Sequence, residues 1–182
     1  MTTAAQTLLY NVDPVHSAAH FSVRHLMISK VRGTFKKLTG AISLPQSGLI
    51  PASVQITIES ASIDTGEPQR DDHLRSADFF DAEHFPKLEF TSSSIRPIDE
   101  TKFEVTGELE IHGVRKPFTV TAELEGQGND PWGGERVAYS TAFKIDREDF
   151  GLTWNQALEA GGIAVGKEIS ITLDVEAVLA KA

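Results

Sequence analysis

Six histidines are the side chains of this 182-residue chain best suited to hold a metal or move a proton, and no cysteine assists them. His16, His20 and His25 lie close together. In an extended segment, however, four residues span about 13 Å at roughly 3.3 Å each, so His16 and His20 cannot share one ion, and His25 falls on the opposite face. A zinc site would need His73, His84 or His112 to converge from other elements with a ring nitrogen about 2.0–2.1 Å from the metal. No His-x-His or His-Glu-x-x-His spacing supports such a site, so no metal ligand is expected. The absence of cysteine also removes thiolate nucleophiles, disulfide frameworks and iron–sulfur clusters.

Other catalytic signatures fail on context. Asp149-Phe150-Gly151 spells a kinase triplet without the Gly-rich or His-Arg-Asp loops of that fold. Gly161-Gly-Ile-Ala-Val-Gly166-Lys167 opens like a phosphate-binding loop, but Glu168 stands where Ser or Thr would hold magnesium, and an alternating segment follows instead of a helix. There is no Gly-x-Ser-x-Gly elbow, and Asp71-Asp72 sit where a helix N-terminus favours acids. No catalytic residue and no cofactor is expected. Phenylalanine is the more informative inventory, ten of fourteen aromatic residues. It supplies bulk without a polar handle, suited to a filled core or to the wall of a dry site for a long hydrocarbon.

The elements that must position these residues follow a period of two. In Phe103-Glu-Val105-Thr-Gly107-Glu-Leu109-Glu-Ile111, every odd position is apolar or Gly and every even one polar, the pattern of a half-buried strand. The same alternation recurs in Ala19/Phe21/Val23, Val54/Ile56/Ile58, Phe118/Val120/Ala122/Leu124, Val137/Tyr139/Phe143/Ile145 and Ile169/Ile171/Leu173/Val175. A segment from about Val31 to Leu44 changes phase near Lys36-Lys37, which predicts a bulge or bend. With a short Leu88/Phe90 segment this makes about eight strands. Ile111-His112-Gly113-Val114 predicts a hairpin, and Gly126 to Gly134 reads as a loop. Only Pro68 to Asp78 reads as a short helix, with Pro at its first position. Antiparallel strands in this number form a sandwich or an up-and-down barrel. Sequential hairpins favour the barrel, whose interior at eight strands holds side chains or one small ligand.

The net charge is −9, which argues against general nucleic-acid binding. Its distribution is uneven. Between Asp13 and Glu59 lie Arg24, Lys30, Arg32, Lys36 and Lys37 and no acid, a segment suited to a solvated strand face or to an anionic head group. No basic, apolar leader pattern opens the chain and no apolar run approaches membrane-spanning length, so a soluble cytoplasmic protein is expected, with no transmembrane helix.

In order along the chain, Val12-Asp13-Pro-Val-His16-Ser17-x-x-x-Phe21-x-Val23-x-His25, Val31-x-Gly33-x-Phe35 and Gly40 are followed by Arg70-Asp-Asp-His73-Leu74-Arg-Ser-Ala-Asp78-Phe79-Phe80-Asp81 and Phe85-Pro86-x-Leu-x-Phe90. Later come Gly107-x-Leu109-x-Ile111-His112-Gly113-Val114, Arg147-x-Asp149-Phe150-Gly151-Leu152 and Val165-Gly166-x-x-Ile169. Together these resemble the YceI-like family of polyisoprenoid-binding proteins over residues 10–178. The resemblance implies an all-β, eight-stranded antiparallel lipocalin-like barrel with one short helix, enclosing an apolar tunnel for an isoprenoid quinone or polyprenyl lipid. Many members are exported, and the opening of this chain departs from them.

One domain over residues 1–182 is therefore expected, with 1–8 flexible. The expected function is non-enzymatic binding, storage or transport of an isoprenoid or other long-chain lipid. The ligand wall would comprise Phe21, Val23, Phe35, Ile56, Phe90, Phe103, Val105, Phe118, Val120, Phe143 and Ile171, with Arg24, His25, Lys30 and Arg32 at the head group. Two alternatives stay open: a metal-assisted enzyme using His16, His25 or His73, and a stress-response interaction protein with the basic stretch as its partner surface. An exposed strand or barrel mouth would also suit a homodimer.

Overall fold

Alternating strands bury one face either by packing against a second layer or by closing the sheet on itself, and in the computed structural model of the protein, which describes residues 6–181, the sheet closes. The elements are β1 (Thr7–Val12), β2 (Ala18–His25), β3 (Ser29–Phe35), β4 (Leu38–Pro45), β5 (Ser53–Glu59), β6 (Ile63–Asp64), α1 (Pro68–Arg75), β7 (Lys87–Pro97), β8 (Lys102–Ile111), β9 (Val114–Asn129), β10 (Glu135–Asp146) and β11 (Val165–Leu179).

These strands make an eight-stave antiparallel barrel because three staves are each split in two. β1 and β2 lie end to end along β11. β4 and β3 follow them on the next stave, and β5 and β6 on the one after. β7 through β11 then run in sequence order, and β11 meets β1 to close the ring. The three breaks sit side by side, at 13–17, Lys36-Lys37 and a 3₁₀ turn over Ser60–Ser62. Side chains and shifted backbone groups replace the missing ladder bonds there. Ser17 Oγ donates to Glu176 O at 3.1 Å and accepts from Glu176 N–H at 3.0 Å. Lys36 N–H reaches Ser62 O, and Lys37 N–H reaches Ser62 Oγ, each at 3.1 Å.

Several expectations are corrected. The phase change at Lys36-Lys37 is a bend, as one of the two expectations had it, but it separates two strands rather than lying inside one. Leu38, Ile42 and Leu44, at the even positions that follow it, are buried. The expected flexible segment 1–8 is ordered where Thr7 and Leu8 pair with Pro45 and Leu44, and residues 1–5 lie outside the described residues. The Leu88/Phe90 segment belongs to an eleven-residue strand. Gly126 to Asn129 continue β9 instead of forming a loop, beyond a register shift opposite Ala138 and Tyr139. The helix stops at Arg75 rather than Asp78. Its Glu67 cap accepts from the N–H groups of Gln69 and Arg70, and both the N–H and the Oγ of Ser76 turn back to His73 O, ending it after two turns.

Two packed ends bracket the barrel. At the lower end, marked by the 45–52 and 130–134 loops, Tyr10, Leu38, Leu44, Phe103, Val137 and Ala177 are buried together. At the upper end, beside α1 and the His112-Gly113 hairpin, Phe79, Ile111, Phe150 and Leu152 form a second cluster.

Candidate functional site

Between these ends lies a cavity of about 240 Å3 with an almost wholly apolar wall. A single water needs only about 15 Å3 of such space, so the void has room for a chain of many carbons. The wall is the inward parity of the strands. Phe21 and Val23 come from β2, Phe35 from β3, Ile56 from β5 and Phe90 from β7. Phe103 and Val105 come from β8, Phe118 and Val120 from β9, Phe143 from β10 and Ile171 from β11. All eleven residues expected in the wall line this one cavity.

Ring contacts fix much of the wall. Phe21 lies 5.7 Å from Phe35, which meets Phe80 edge-on at 5.7 Å, and Phe118 stands 5.1 Å from Phe143. Glycines make room for the largest side chains. A Cβ on Gly33 would come within 2.4 Å of the Phe21 ring, and one on Gly107 within 2.8 Å of the Phe90 ring. The alternation thus places a missing side chain beneath each of two wall phenylalanines.

The upper seal uses residues that periodicity could not assign. After α1 the chain coils back, with Phe79 N–H bonding Ser76 O and Phe80 N–H bonding Leu74 O, and this turns both rings toward the barrel. Phe79 packs 5.2 Å from Trp154, and His73 stands edge-on to both rings. Arg147 was equally unforeseen as a wall residue. It is 3% exposed, lines the upper part of the cavity and has no carboxylate partner among the described residues. Its guanidinium donates to the carbonyls of Leu152, Gly166 and Val165 instead. Burial lowers its pKa, but from a value so high that the group stays charged.

The four expected head-group residues are placed differently. Arg24 and Lys30 pair across the β2–β3 hairpin, and Arg32 pairs with Ser22. Their parity is opposite to that of Phe21 and Val23, so Arg24, Lys30 and Arg32 are exposed on the outside of the barrel and do not line the cavity. His25 has the inward parity at the strand end, half-buried, opposite Val165.

The histidines do not converge. His73 bonds Asp78 at 2.8 Å, His84 bonds Asp81 at 2.9 Å, and His112 Nδ1 lies 3.3 Å from Phe150 O. Among the described residues, only Asp13, His16 and Glu176 bring three possible metal ligands together. A cation already occupies that cluster. Arg136 donates to Asp13 Oδ2 at 2.8 Å, to Glu176 Oε1 at 2.6 Å and to Asp130 Oδ2 at 2.7 Å.

Comparison with known proteins places this architecture. The YceI-like domain family matches residues 10–177. A YceI protein of Salmonella newport is 35% identical over 182 residues, 99% of this chain and 92% of that protein. One from Escherichia coli O157:H7 is 36% identical over 174 residues, 94% of this chain and 87% of that protein. The crystal structure of Burkholderia cenocepacia BcnA superposes with a TM-score of 0.77 at 25% identity, covering 91% of this chain and 98% of that one. Campylobacter jejuni YceI gives 0.73 at 32% identity, covering 87% and 90%. A polyisoprenoid-binding domain from Saccharophagus degradans shares the fold with a TM-score of 0.74 at 16% identity, covering 95% and 99%. With the match running from the first barrel stave to the last, the chain belongs to the YceI-like family.

Proposed function

We infer that this protein binds a long-chain isoprenoid lipid, a polyprenyl chain or an isoprenoid quinone, inside the barrel and without chemical turnover. The observation that carries the reading is an apolar cavity walled by inward residues of every stave. The polyisoprenoid-binding domain from Saccharophagus degradans lends support by having the same fold. At roughly 25 cal/mol per Å2, removing about 300 Å2 of hydrocarbon from water contributes on the order of 7 kcal/mol before ordering costs, so no polar recognition is needed for retention. Direction would have to be set at the two ends of the cavity, because its wall presents almost no polar surface to a ligand.

The test is extraction of the purified protein with organic solvent followed by mass spectrometry. The expected result is an isoprenoid lipid in near-stoichiometric amount. Val120→Phe, which thickens the wall beside Val105, should weaken the affinity for added isoprenoid quinone by roughly ten-fold, since overpacking costs about 1–3 kcal/mol. An empty wild-type protein that also fails to take up added isoprenoid quinone would sink the reading.

A further inference from the structure

The turn joining β2 and β3 runs against local preference in two ways. Successive positive φ angles are normally supplied by Asn and Gly. Here Leu26 and Met27 adopt φ of 52° and 64°. The same residues and Ile28 are 39%, 57% and 80% exposed, so three consecutive apolar side chains stand in water at a strained tip. Strain held at an exposed apolar position points to a role outside the fold's own stability.

The surroundings of the tip give the partner's chemistry. Arg24 and Lys30 face each other just below it on the outer face, and Arg32 lies two residues farther down. None of these three has a carboxylate partner among the described residues, whereas Lys36 and Lys37, next along the chain, pair with Asp64 and Glu59. The tip also stands at the upper end of the tunnel. Leu26 N–H donates to Ala164 O at 2.8 Å, and the adjacent Val165, like Val23, lines the cavity.

We propose that the Leu26-Met27-Ile28 tip docks on an anionic lipid bilayer, its side chains entering the interface while Arg24, Lys30 and Arg32 engage lipid phosphates. This rests on the lipid-binding reading and supplies its route, because it turns the upper end of the tunnel toward the membrane. An apolar insertion together with a basic patch provides the two signals that stable surface binding requires. The acidic remainder of the molecule does not prevent docking. Charges beyond a Debye length of about 8 Å are largely screened, and their residual repulsion favours approach by the one basic face.

Flotation with phosphatidylcholine vesicles, with and without phosphatidylglycerol, tests the proposal. Wild-type protein should float with the phosphatidylglycerol vesicles, much less with pure phosphatidylcholine, and progressively less as salt is raised. Each Lys or Arg near the surface is worth about a five-fold change in partitioning, so Arg24→Ala/Lys30→Ala/Arg32→Ala together should lose roughly 100-fold. Leu26→Asn/Met27→Gly installs residues the turn prefers, so it should fold at least as stably as wild type and yet float poorly. A wild-type protein that does not float, or that floats equally on both vesicles, overturns the proposal, as does an Asn-Gly variant that floats like wild type. Mass spectrometry of the same preparations keeps the two readings apart. Protein that carries lipid but never floats overturns docking alone, and protein that floats but takes up no lipid overturns the binding function.

Discussion

Tyr10 and Tyr139 are the two tyrosines of the chain, and both are buried at the lower end of the barrel. Tyr10 donates to Glu135 at 2.6 Å, and Tyr139 donates to Leu49 O at 2.6 Å. Burial, reinforced by the Glu135 carboxylate, pushes Tyr10 up to about 12, and burial raises Tyr139 further. A free tyrosine titrates near about 10. Because both folded-state values are raised, their contribution to stability is complete below about pH 10 and is lost as pH climbs through the folded values. Tyrosinate absorbance in the near ultraviolet should therefore be absent around pH 10 and should emerge together with the loss of circular dichroism. A simple titration near pH 10 in the native protein would contradict this placement. The inward parity of Tyr139 is readable in the alternation of Val137/Tyr139/Phe143, whereas that of Tyr10 is not, because Leu8-Leu9-Tyr10 breaks the alternation and β1 appears only in the structure. The partners Glu135 and Leu49, 125 and 90 residues away along the chain, are not readable there either.

At the scale of elements, the split staves are tied together by charge where the ladders fail. Arg136 on β10 reaches Asp13 at the β1–β2 break, Glu176 on β11 and Asp130 in the preceding loop, spanning three staves with one guanidinium. The Arg136 guanidinium holds the Asp13 carboxyl well below the usual range. Asp130 is lowered first by the Gly134 N–H and then by Arg136. Around pH 4 the unfolded chain thus binds more protons than the folded one. The stabilisation is complete above about pH 4 and is lost as pH falls through the lowered folded values. Thermal midpoints should drop over that acid range, and Arg136→Gln should lower the neutral-pH midpoint and flatten the acid dependence. An unchanged acid profile in Arg136→Gln would show that the network does not tie the staves. The sequence shows the Lys36-Lys37 phase change but not its neighbours at 13–17 and 60–62, because whether breaks lie level depends on strand register rather than on any one segment.

For the whole molecule, a cavity lying between two packed ends means that an empty barrel forgoes contacts which a bound chain supplies. A ligand that binds only the folded state stabilises it by about 4 kcal/mol at 1,000 times its Kd. Delipidated protein should therefore unfold at a lower temperature than protein as purified, and added isoprenoid quinone should restore the midpoint. Identical midpoints for stripped and loaded protein would argue against a tightly held ligand in the tunnel. That such a tunnel exists follows from two kinds of information. Period-two alternation is local, since successive side chains point to opposite faces of any strand. The sequence alone therefore determined the all-β class, about eight alternating strands and the apolar face that Phe21, Ile171 and the other nine residues expected in the wall occupy on them. Closure, register and the irregular segment after α1 are non-local. Only the tertiary structure decided that Phe79 and Phe80 fold back over the upper end, that Arg147 is buried against three carbonyls, and that Arg24, Lys30 and Arg32 stand outside the barrel. The physical reason is that parity tells which residues share a face, whereas the pairing of distant strands settles which face turns inward and what seals the ends.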